Sequence, residues 1–509
     1  MSSALNGEAV DVVIVGSGAT GSFMAKELAA AGLRVLVLEA GRSRARARAV
    51  DFAFRAKRKL GHRIAESAKA VARQPIQSRS YAWSGHPHAF VDDLDHPYEQ
   101  APGKPYIWFR SRQVGGRMMI RQHGKQFYRM SRDDFHAGSY DGRSDDWPLS
   151  YEELEPFYEQ VERKLLIAGN RDQVASLPDS IYDEAQPLLP EQQRIADALE
   201  AGVPGARIVV KRTTYKGDFD LLPGHDGRLS LRTDAIVAKV DFDPVAQRVR
   251  GVTYIDAQSG KRHQARAKLV ILCASAIESA RLLLNSATPE YPEGLGNTSG
   301  VLGRYLMDHV YLGPIVGRTK AGSQTEHPTF LYMPQFMNRT VPTSEFVRGY
   351  AMQIWALGDE CHVVPLGEML PRADNRVTID PGKRDRHGLP VARIECAHGD
   401  NEHALMRHAR AQCVAMLQAA GYDQIDPIPD VAPPGFALHE GGTARMGSNP
   451  KTSFLNPYCQ SWEIPNLFVA DGSCWVSHGV QNVTLTMLAL AARTADYIVR
   501  QHKHGAAAT

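Results

Sequence analysis

The chain has 509 residues, which is too many for one hydrophobic core, so we expect two domains. With 43% hydrophobic residues, 23% charged residues and a net charge of +3, it has a globular composition and gives no reason to expect nucleic acid as a partner. There is no run of about 18 apolar residues, so we expect no membrane span.

The N-terminus and the cysteines bear on the compartment. No basic stretch followed by an apolar one opens the chain, which predicts a cytoplasmic protein, although export together with a signal-bearing partner would leave the same sequence. The six cysteines are scattered without C-x-x-C or metal-ligand spacing. We therefore expect reduced thiols and no metal site.

Residues 11–41 predict a strand, a glycine turn, a helix and a second strand. The turn carries Gly16, Gly18 and Gly21 as G-x-G-x-x-G, which lets the backbone approach a pyrophosphate at a helix N-terminus. Glu39 ends the second strand and is placed to accept hydrogen bonds from ribose hydroxyls. Because an acid there repels a 2′-phosphate, the unit predicts NAD or FAD rather than NADP.

Residues 42–201 contain a basic segment, a stretch without periodicity and two predicted helices. Residues 42–79 are rich in Arg and Lys, which indicates a solvated insertion or a contact between copies of a homo-oligomer rather than an anionic partner. Residues 80–110 show no period and predict a long covering loop. A helix is predicted to begin after Ser150, with Glu153 completing a capping box, and another at 190–201.

Strand patterns dominate the middle of the chain. A hairpin over 235–255 and the apolar run 269–274 predict strands that return to the first sheet. Residues 311–400 predict an antiparallel sheet of a second domain, on which Gln353 and Trp355 either face a substrate or belong to the core. The nucleotide-binding domain is therefore expected to be discontinuous.

The predicted fold class is α/β, with a Rossmann-like domain that binds the dinucleotide and a second, substrate-binding domain built on an antiparallel sheet. We assign residues 1–80, 225–310 and 431–509 to the first domain. The second domain, with its covering loops, takes residues 81–224 and 311–430.

Two C-terminal stretches contain candidate chemistry. The first is HEGGTARMG, which begins at His439. The second is a strand that ends in Asp471-Gly472, followed by a turn containing His478 and a long apolar helix. Such a helix begins at the carboxyl end of the sheet, where its N–H groups could stabilise negative charge on a reduced flavin.

Motifs along the whole chain resemble the glucose-methanol-choline (GMC) family of FAD-dependent oxidoreductases. They are the opening glycine motif with Glu-Ala-Gly, DWPLSYEELEPFY, GRYLMDH, NRVTIDP, HEGGTARMG, and NLFVADGS followed by QNVTLTML. Within the family, HEGGTARMG combined with a Gln-Asn-x-Thr turn is most similar to bacterial pyranose oxidases, glucoside 3-dehydrogenases and C-glycoside 3-oxidases.

The resemblance implies roles at the reactive centre. His439 would be the base that takes the proton of the substrate hydroxyl while the hydride moves to flavin N5, and Asn482 would hold the substrate oxygen. Imidazole suits the first role because its ordinary pKa of about 6.5 leaves it largely neutral at working pH. His478 is a rival histidine, but the motif context favours His439.

The resemblance also implies FAD as the cofactor and a set of residues that contact it. That set comprises Gly16, Gly18, Gly21, Glu39, Gly115, Gly116, Val237, Asp471, Gly472, Val483 and Thr484. Three positions depart from the family pattern: Val483 replaces a usual proline, Ser275 a frequent glycine, and Ile120 a histidine that some members link to FAD. We therefore expect noncovalent FAD, unless His123 has taken over the link.

These observations predict FAD-dependent oxidation of a secondary hydroxyl of a pyranose sugar or glycoside to a ketone. One alternative keeps the chemistry and changes the substrate to an aryl or aliphatic alcohol or a polyol. Another is a non-redox lyase that retains FAD. Oxygen, a quinone or a redox partner could each accept the electrons.

Overall fold

The computed structural model describes residues 9–43, 45–47, 49–50, 52, 63–120, 125–214, 227–320 and 324–507. The helices of this part of the chain are α1 (Ala19–Ala30), α2 (Arg63–Arg73), α3 (Ala137–Asp141), α4 (Tyr151–Leu165), α5 (Pro190–Ala201), α6 (Ala276–Leu284), α7 (Asp400–Ala419) and α8 (Thr484–Ala507). None of these helices is both long and apolar enough to cross a bilayer.

The strands of the same ranges, in chain order, are β1 (Val10–Val15), β2 (Val35–Leu38), β3 (Glu99–Gln100), β4 (Ile167–Ala168), β5 (Val209–Val210), β6 (Thr213–Thr214), β7 (Leu229–Arg232), β8 (Ala235–Asp243), β9 (Arg248–Asp256), β10 (Arg262–Leu272), β11 (Val310–Tyr311), β12 (Ile315–Arg318), β13 (Thr325–Met333), β14 (Tyr350–Gly358), β15 (Glu360–Gly367), β16 (Arg376–Arg384), β17 (Pro390–Glu395), β18 (Gln424–Ile425) and β19 (Leu467–Val469).

The first sheet is the predicted Rossmann-like sheet. Its order is β7-β2-β1-β10-β9-β8, with β19 beside β10, and β1 runs parallel to β2 and β10. The first half of β10 pairs antiparallel with β9, and its apolar second half lies between β1 and β19. Because the central strands are parallel, their carboxyl ends meet at one edge, where dinucleotides bind.

The second sheet is antiparallel, as predicted for the middle of the chain, but it does not hold all the strands of residues 311–400. Strands β16 and β17 pair antiparallel with each other in a separate three-stranded sheet with β3. Its order is β18-β12-β15-β14-β13-β5, with β11 beside β15. Apolar side chains of α5 and α7 share a buried cluster with one face of this sheet. The opposite face is left to contribute to a cavity. The domain boundaries proposed from the sequence stay a prediction.

Local signals account for the helix ends. Glu153 N donates to Ser150 Oγ (3.2 Å) and Ser150 N donates to Glu153 Oε2 (2.8 Å), so the predicted capping box of α4 is present. Helix α1 begins at Ala19, four residues before its apolar spacing becomes visible at Phe23, because the first turn consists of small residues. Its N-terminus therefore lies directly on the glycine turn.

Only part of the basic segment 42–79 lies within the described residues. Helix α2 ends in Arg73, whose guanidinium pairs with Asp92 and, at 3.0 Å, with Asp95. This contact holds α2 against the loop that follows it. The segment's role in solvation or oligomer contact stays a prediction.

Ser275 is in a backbone conformation that suits glycine. Its φ is +88° and its ψ 159°, where L residues pay of order 1–3 kcal/mol. The hydrogen bond from Ser275 N to Asp471 Oδ2 (3.0 Å) helps to hold it there. Ser275, which replaces a frequent glycine of the family, thus has a positive φ, the conformation that favours glycine.

We expect Ser275→Gly to raise the free energy of unfolding by about 1 kcal/mol. The relief of strain exceeds the loss of about 0.5–1 kcal/mol from the added freedom of glycine in the unfolded chain. Melting temperatures of the FAD-loaded variants measure the change. Ser275→Ala is the control, because it removes the same hydroxyl but keeps the Cβ, and it should give no gain. A lower melting temperature for the glycine variant would contradict the prediction.

Candidate functional site

A cavity of about 1060 Å³ lies between the two sheets. The carboxyl-end loops of β1, β2, β10 and β19 line one side of it, and the free face of the antiparallel sheet lines the other. Residues of the predicted covering loop also line it, including Tyr81, Phe90 and Trp108. Of the predicted site residues, those lining the cavity are Gly16, Gly18, Glu39, Gly116, Val237, Gln353, Trp355, His439, Asp471, Gly472, Asn482, Val483 and Thr484.

The glycine turn is shaped for an anion. Gly16 has φ +99°, and a Cβ there would lie 2.4 Å from the carbonyl oxygen of Cys273. Gly18 faces open space, and α1 starts immediately after it without a side-chain cap from any described residue. The first N–H groups of α1 are thus directed to the cavity, as phosphate binding requires.

Two predicted glycines do not line the cavity. A Cβ on Gly21 would lie 2.1 Å from the carbonyl oxygen of Gly16, so this glycine lets α1 pack against the strand. Gly115, with φ +84°, donates its N–H to Ser17 Oγ (3.1 Å). Both residues contact the glycine turn on the side away from the cavity. The next residue, Gly116, does line the cavity and closely approaches the backbone of Gly18.

Glu39 is buried at the end of β2 and held by the glycine turn. Ser17 donates to Oε2 from its N–H (3.0 Å) and its hydroxyl (2.6 Å), and Gly41 N donates to Oε1 (2.7 Å). Burial raises the pKa of Glu39, while these donors oppose the rise. A carboxylate with remaining lone pairs at this point can accept from ribose hydroxyls.

Asp471 connects three segments at the carboxyl edge. Its Oδ1 accepts from the N–H and hydroxyl of Ser473, and its Oδ2 accepts from Ser275 N and Ser279 Oγ. Next to it, a Cβ on Gly472 would lie 2.5 Å from the carbonyl oxygen of Glu440. This pair therefore joins the end of β19 to the start of α6 and to the HEGGTARMG segment.

His439 and Asn482 meet at the cavity although 43 residues separate them. Asn482 Nδ2 lies 3.4 Å from His439 Nε2, and Gln353 Nε2 donates to Asn482 Oδ1 (3.2 Å). Because the amide oxygen is occupied by Gln353, the amide N–H groups face the imidazole and the cavity. The predicted pair is thus assembled, and a third residue from β14 orients it.

His309 decides which nitrogen of His439 can act as a base. His309 Nε2 lies 3.0 Å from the carbonyl oxygen of Gly479, which can only accept, so this nitrogen carries a proton. Neutral His309 then has a bare Nδ1, which lies 2.7 Å from His439 Nδ1 and accepts from it. His439 is left with its lone pair on Nε2, directed at Asn482 and the cavity.

The electrostatics keep both imidazoles neutral. Burial lowers the pKa of His309 to about 4. Burial, together with His309 and the guanidinium of Arg117, lowers the pKa of His439 well below its ordinary value. Arg117 itself is ion-paired with Glu440 (2.7 Å). At neutral pH, His439 therefore presents an unprotonated nitrogen.

Asp308 positions the backbone of the same segment. His439 N donates to Asp308 Oδ1 (2.9 Å) and Ala437 N donates to Oδ2 (3.0 Å). Burial, with the negative charge of Glu440, raises the pKa of Asp308 to about 7. Sequence reasoning did not select Asp308 or His309, although both end the GRYLMDH motif. That ending in Asp-His was the available signal.

The remaining predicted residues occupy distinct positions. Trp355 is half-buried at the cavity and stacks on His362, with ring centroids 4.8 Å apart. His478 is fully buried and does not line the cavity. Ile120 lines the cavity at the position where a histidine link was considered. His123, the other candidate for that link, lies outside the described residues.

The residues around the cavity indicate which kind of cofactor they can hold. Among the described residues, no group of three His, Cys, Asp or Glu side chains is arranged to hold a metal ion. The six cysteines all lie in this part of the chain and are buried without disulfides. The glycine turn, Glu39 and the long cavity instead fit a dinucleotide.

Comparisons with known proteins give a consistent result. Two family models described as GMC oxidoreductase match the chain, over residues 10–311 and 371–491. The 2-methyl-1,2-propanediol dehydrogenase of Mycolicibacterium austroafricanum is 30% identical over 96% of this chain and 95% of its own. The C-glycoside 3-oxidase of Microbacterium trichothecenolyticum is 30% identical over 49% of this chain and 50% of its own.

A solved structure shares the fold. Formate oxidase from Aspergillus oryzae RIB40 superposes with a TM-score of 0.67 at 15% identity, covering 98% of this chain and all of its own (100%). At this identity the likeness concerns the fold alone. It agrees with the predicted α/β fold class.

Proposed function

The chain belongs to the GMC family of FAD-dependent oxidoreductases, which act on CH–OH groups, and we propose that it oxidises a secondary hydroxyl of a pyranose sugar or glycoside to a ketone. The observation that carries the proposal is the pair of His439 and Asn482 at one cavity, with the His439 lone pair placed on Nε2 by His309.

The residues around the cavity fit FAD. The turn at Gly16 and Gly18 and the N-terminus of α1 would hold the pyrophosphate, and Glu39 would hold the ribose. When bound, FAD supplies the hydride acceptor. Ile120 lacks the nucleophilic side chain of a covalent link, so we infer that FAD is held noncovalently.

His439 and Asn482 have different roles at the substrate hydroxyl. His439 Nε2 takes the hydroxyl proton, and the resulting imidazolium keeps its Nδ1–H bond to His309. Asn482 Nδ2 donates to the substrate oxygen as negative charge develops there. Bound FAD would accept the hydride of the same carbon, and loss of one proton and one hydride would convert the alcohol to a ketone.

Two features favour a sugar as the substrate. Trp355 offers an aromatic face for a pyranose ring, and Gln353 offers polar atoms beside it. The C-glycoside 3-oxidase relative matches half of the chain at 30% identity. A small aliphatic alcohol is the second candidate, because the propanediol dehydrogenase relative is equally identical over almost the whole chain.

Anaerobic stopped-flow mixing tests the proposal. The FAD-loaded protein is mixed with methyl glycosides, free pyranoses, aliphatic diols and aromatic alcohols, and bleaching of the oxidised flavin is followed. We expect glycosides or pyranoses to reduce the flavin fastest and the product to be a ring ketone by NMR. Faster reduction by a diol favours the second candidate. Consumption of substrate with the flavin still oxidised would indicate a lyase and contradict the proposal.

A further inference from the structure

A buried lysine lies on the wall of the cavity formed by the antiparallel sheet. Lys211 follows β5, is only 8% exposed and lines the cavity. Its ammonium lies over the ring of Phe330, 4.0 Å from the ring centroid. Burial lowers its pKa to about 8, and no neighbouring charge contributes to the shift.

The strand register places Lys211 on the same face of the sheet as the residues near His439. Lys211 N donates to Phe330 O (3.2 Å), and Phe330 is opposite Trp355 in the β13–β14 pair. In an antiparallel sheet, residues directly opposite one another share a face, so the three side chains form one row. Gln353 belongs to the adjacent row.

The same register gives the distance between the lysine and the reactive pair. Rows are about 7 Å apart along a strand, and β5 is two strands, or about 10 Å, from β14. Gln353 is the residue that donates to Asn482. The distance between the backbones of Lys211 and Gln353 is therefore roughly the width of a sugar ring plus the length of a lysine side chain. A sugar whose reacting hydroxyl lies at His439 would therefore have its opposite end near the ammonium of Lys211.

No described carboxylate that lines the cavity is available to Lys211. Two of these acids accept hydrogen bonds: Glu39 from Ser17 and Gly41, and Asp471 from Ser275, Ser279 and Ser473. The other two form ion pairs: Glu278 with Arg281 and Arg112, and Glu440 with Arg117. A buried ammonium without an anionic partner is unfavourable in the protein alone. Lys125, which also lines the cavity, donates to the carbonyl oxygen of Met118.

We propose that Lys211 binds a carboxylate on the substrate, so that the preferred substrates are acidic sugars or glycosides, such as uronic acids, rather than neutral ones. The inference rests on the proposed oxidation of a sugar hydroxyl. One ammonium over the ring of Phe330 matches a single negative charge. The carboxylate lies on the part of the substrate remote from the oxidised carbon, and Trp355 contacts the ring between them.

A matched pair of probes tests the proposal. Methyl β-D-glucopyranoside and methyl β-D-glucopyranosiduronate differ only in a CH₂OH group replaced by a carboxylate. Their dissociation constants for the oxidised, FAD-loaded protein are measured by calorimetry, and flavin reduction is measured separately. We expect the acid to bind about 10- to 100-fold more tightly, the range of a charge-assisted hydrogen bond.

Three variants assign that preference to Lys211. Lys211→Met should abolish the preference for the acid, and Lys211→Arg, which keeps the charge, should retain part of it. Lys320→Met removes an exposed lysine of the same sheet region and should retain all of it. Flavin content and melting temperature show whether each variant is folded. If Lys211→Met does not fold, the comparison of the two probes on the unaltered protein still decides.

The possible outcomes separate this inference from the proposed function. Equal binding of the two probes, or tighter binding of the neutral one, overturns the inference, and so does a Lys211→Met protein that keeps the preference. Flavin reduction by the neutral glycoside alone overturns the inference while supporting the proposed function. Preferential binding of the acid without flavin reduction by either probe supports the lysine site and contradicts the proposed oxidation.

Discussion

His439→Ala is expected to slow flavin reduction by about two to four orders of magnitude, the usual contribution of a positioned base, while FAD remains bound. The variant loses the Nε2 lone pair but leaves the glycine turn and Glu39 in place, since neither contacts His439 among the described hydrogen bonds. Anaerobic stopped-flow measurement of the bound flavin gives the rate. Added imidazole should recover part of it.

The control for His439→Ala is the same substitution at His403, an exposed histidine of α7. In the His403→Ala variant, the substrate should reduce the bound flavin at the original rate. If His439→Ala were equally fast, His439 would have no part in the chemistry. Loss of flavin from His439→Ala alone would instead mean that the histidine holds the cofactor.

The pH dependence of the original protein follows from the same site. The neutral form of His439 is the active base, and burial, His309 and Arg117 lower its pKa. Activity is therefore present above the lowered pKa and lost only as pH falls through it. We expect the flavin reduction rate to stay constant through about pH 6.5, the ordinary pKa of histidine. A rate that halves near pH 6.5 would contradict the lowered pKa.

His309→Phe is expected to slow flavin reduction by about 10- to 100-fold, because His439 would lose the acceptor that keeps its proton on Nδ1. His309 does not line the cavity and acts through His439, so it is a positioning residue. Its loss also changes the surroundings that set the His439 pKa, so the pH at which activity falls should shift. The reduction rate is measured across pH for both proteins.

His309→Gln is the matched variant for this prediction. A glutamine amide offers one donor for the carbonyl oxygen of Gly479 and one acceptor for His439 Nδ1, so it should recover part of the rate. A merely structural role for His309 would lower stability in both variants without moving the pH profile. Equal rates for His309→Phe and the original protein would remove His309 from the mechanism.

Much of the architecture is readable from local patterns. The glycine motif between two buried strands, the capping box at Ser150 and the alternating strands of the second sheet each depend on residues close in the chain. The resemblance to a family adds His439 and Asn482, which the structure brings to one cavity. Their catalytic roles and the cofactor contacts stay predictions.

The sequence by itself determined the dinucleotide unit and the antiparallel second sheet, and it selected His439 and Asn482 as candidates, because short-range patterns and motifs carry them. Only the tertiary structure decided three further points: that His309 bonds His439 from 130 residues away, that Lys211 faces the cavity without a carboxylate partner among the described residues, and that Ser275 has a positive φ. Each depends on contacts between segments distant in the chain. Hydrogen-bond partners, burial and backbone strain are properties of those contacts, and no local pattern contains them.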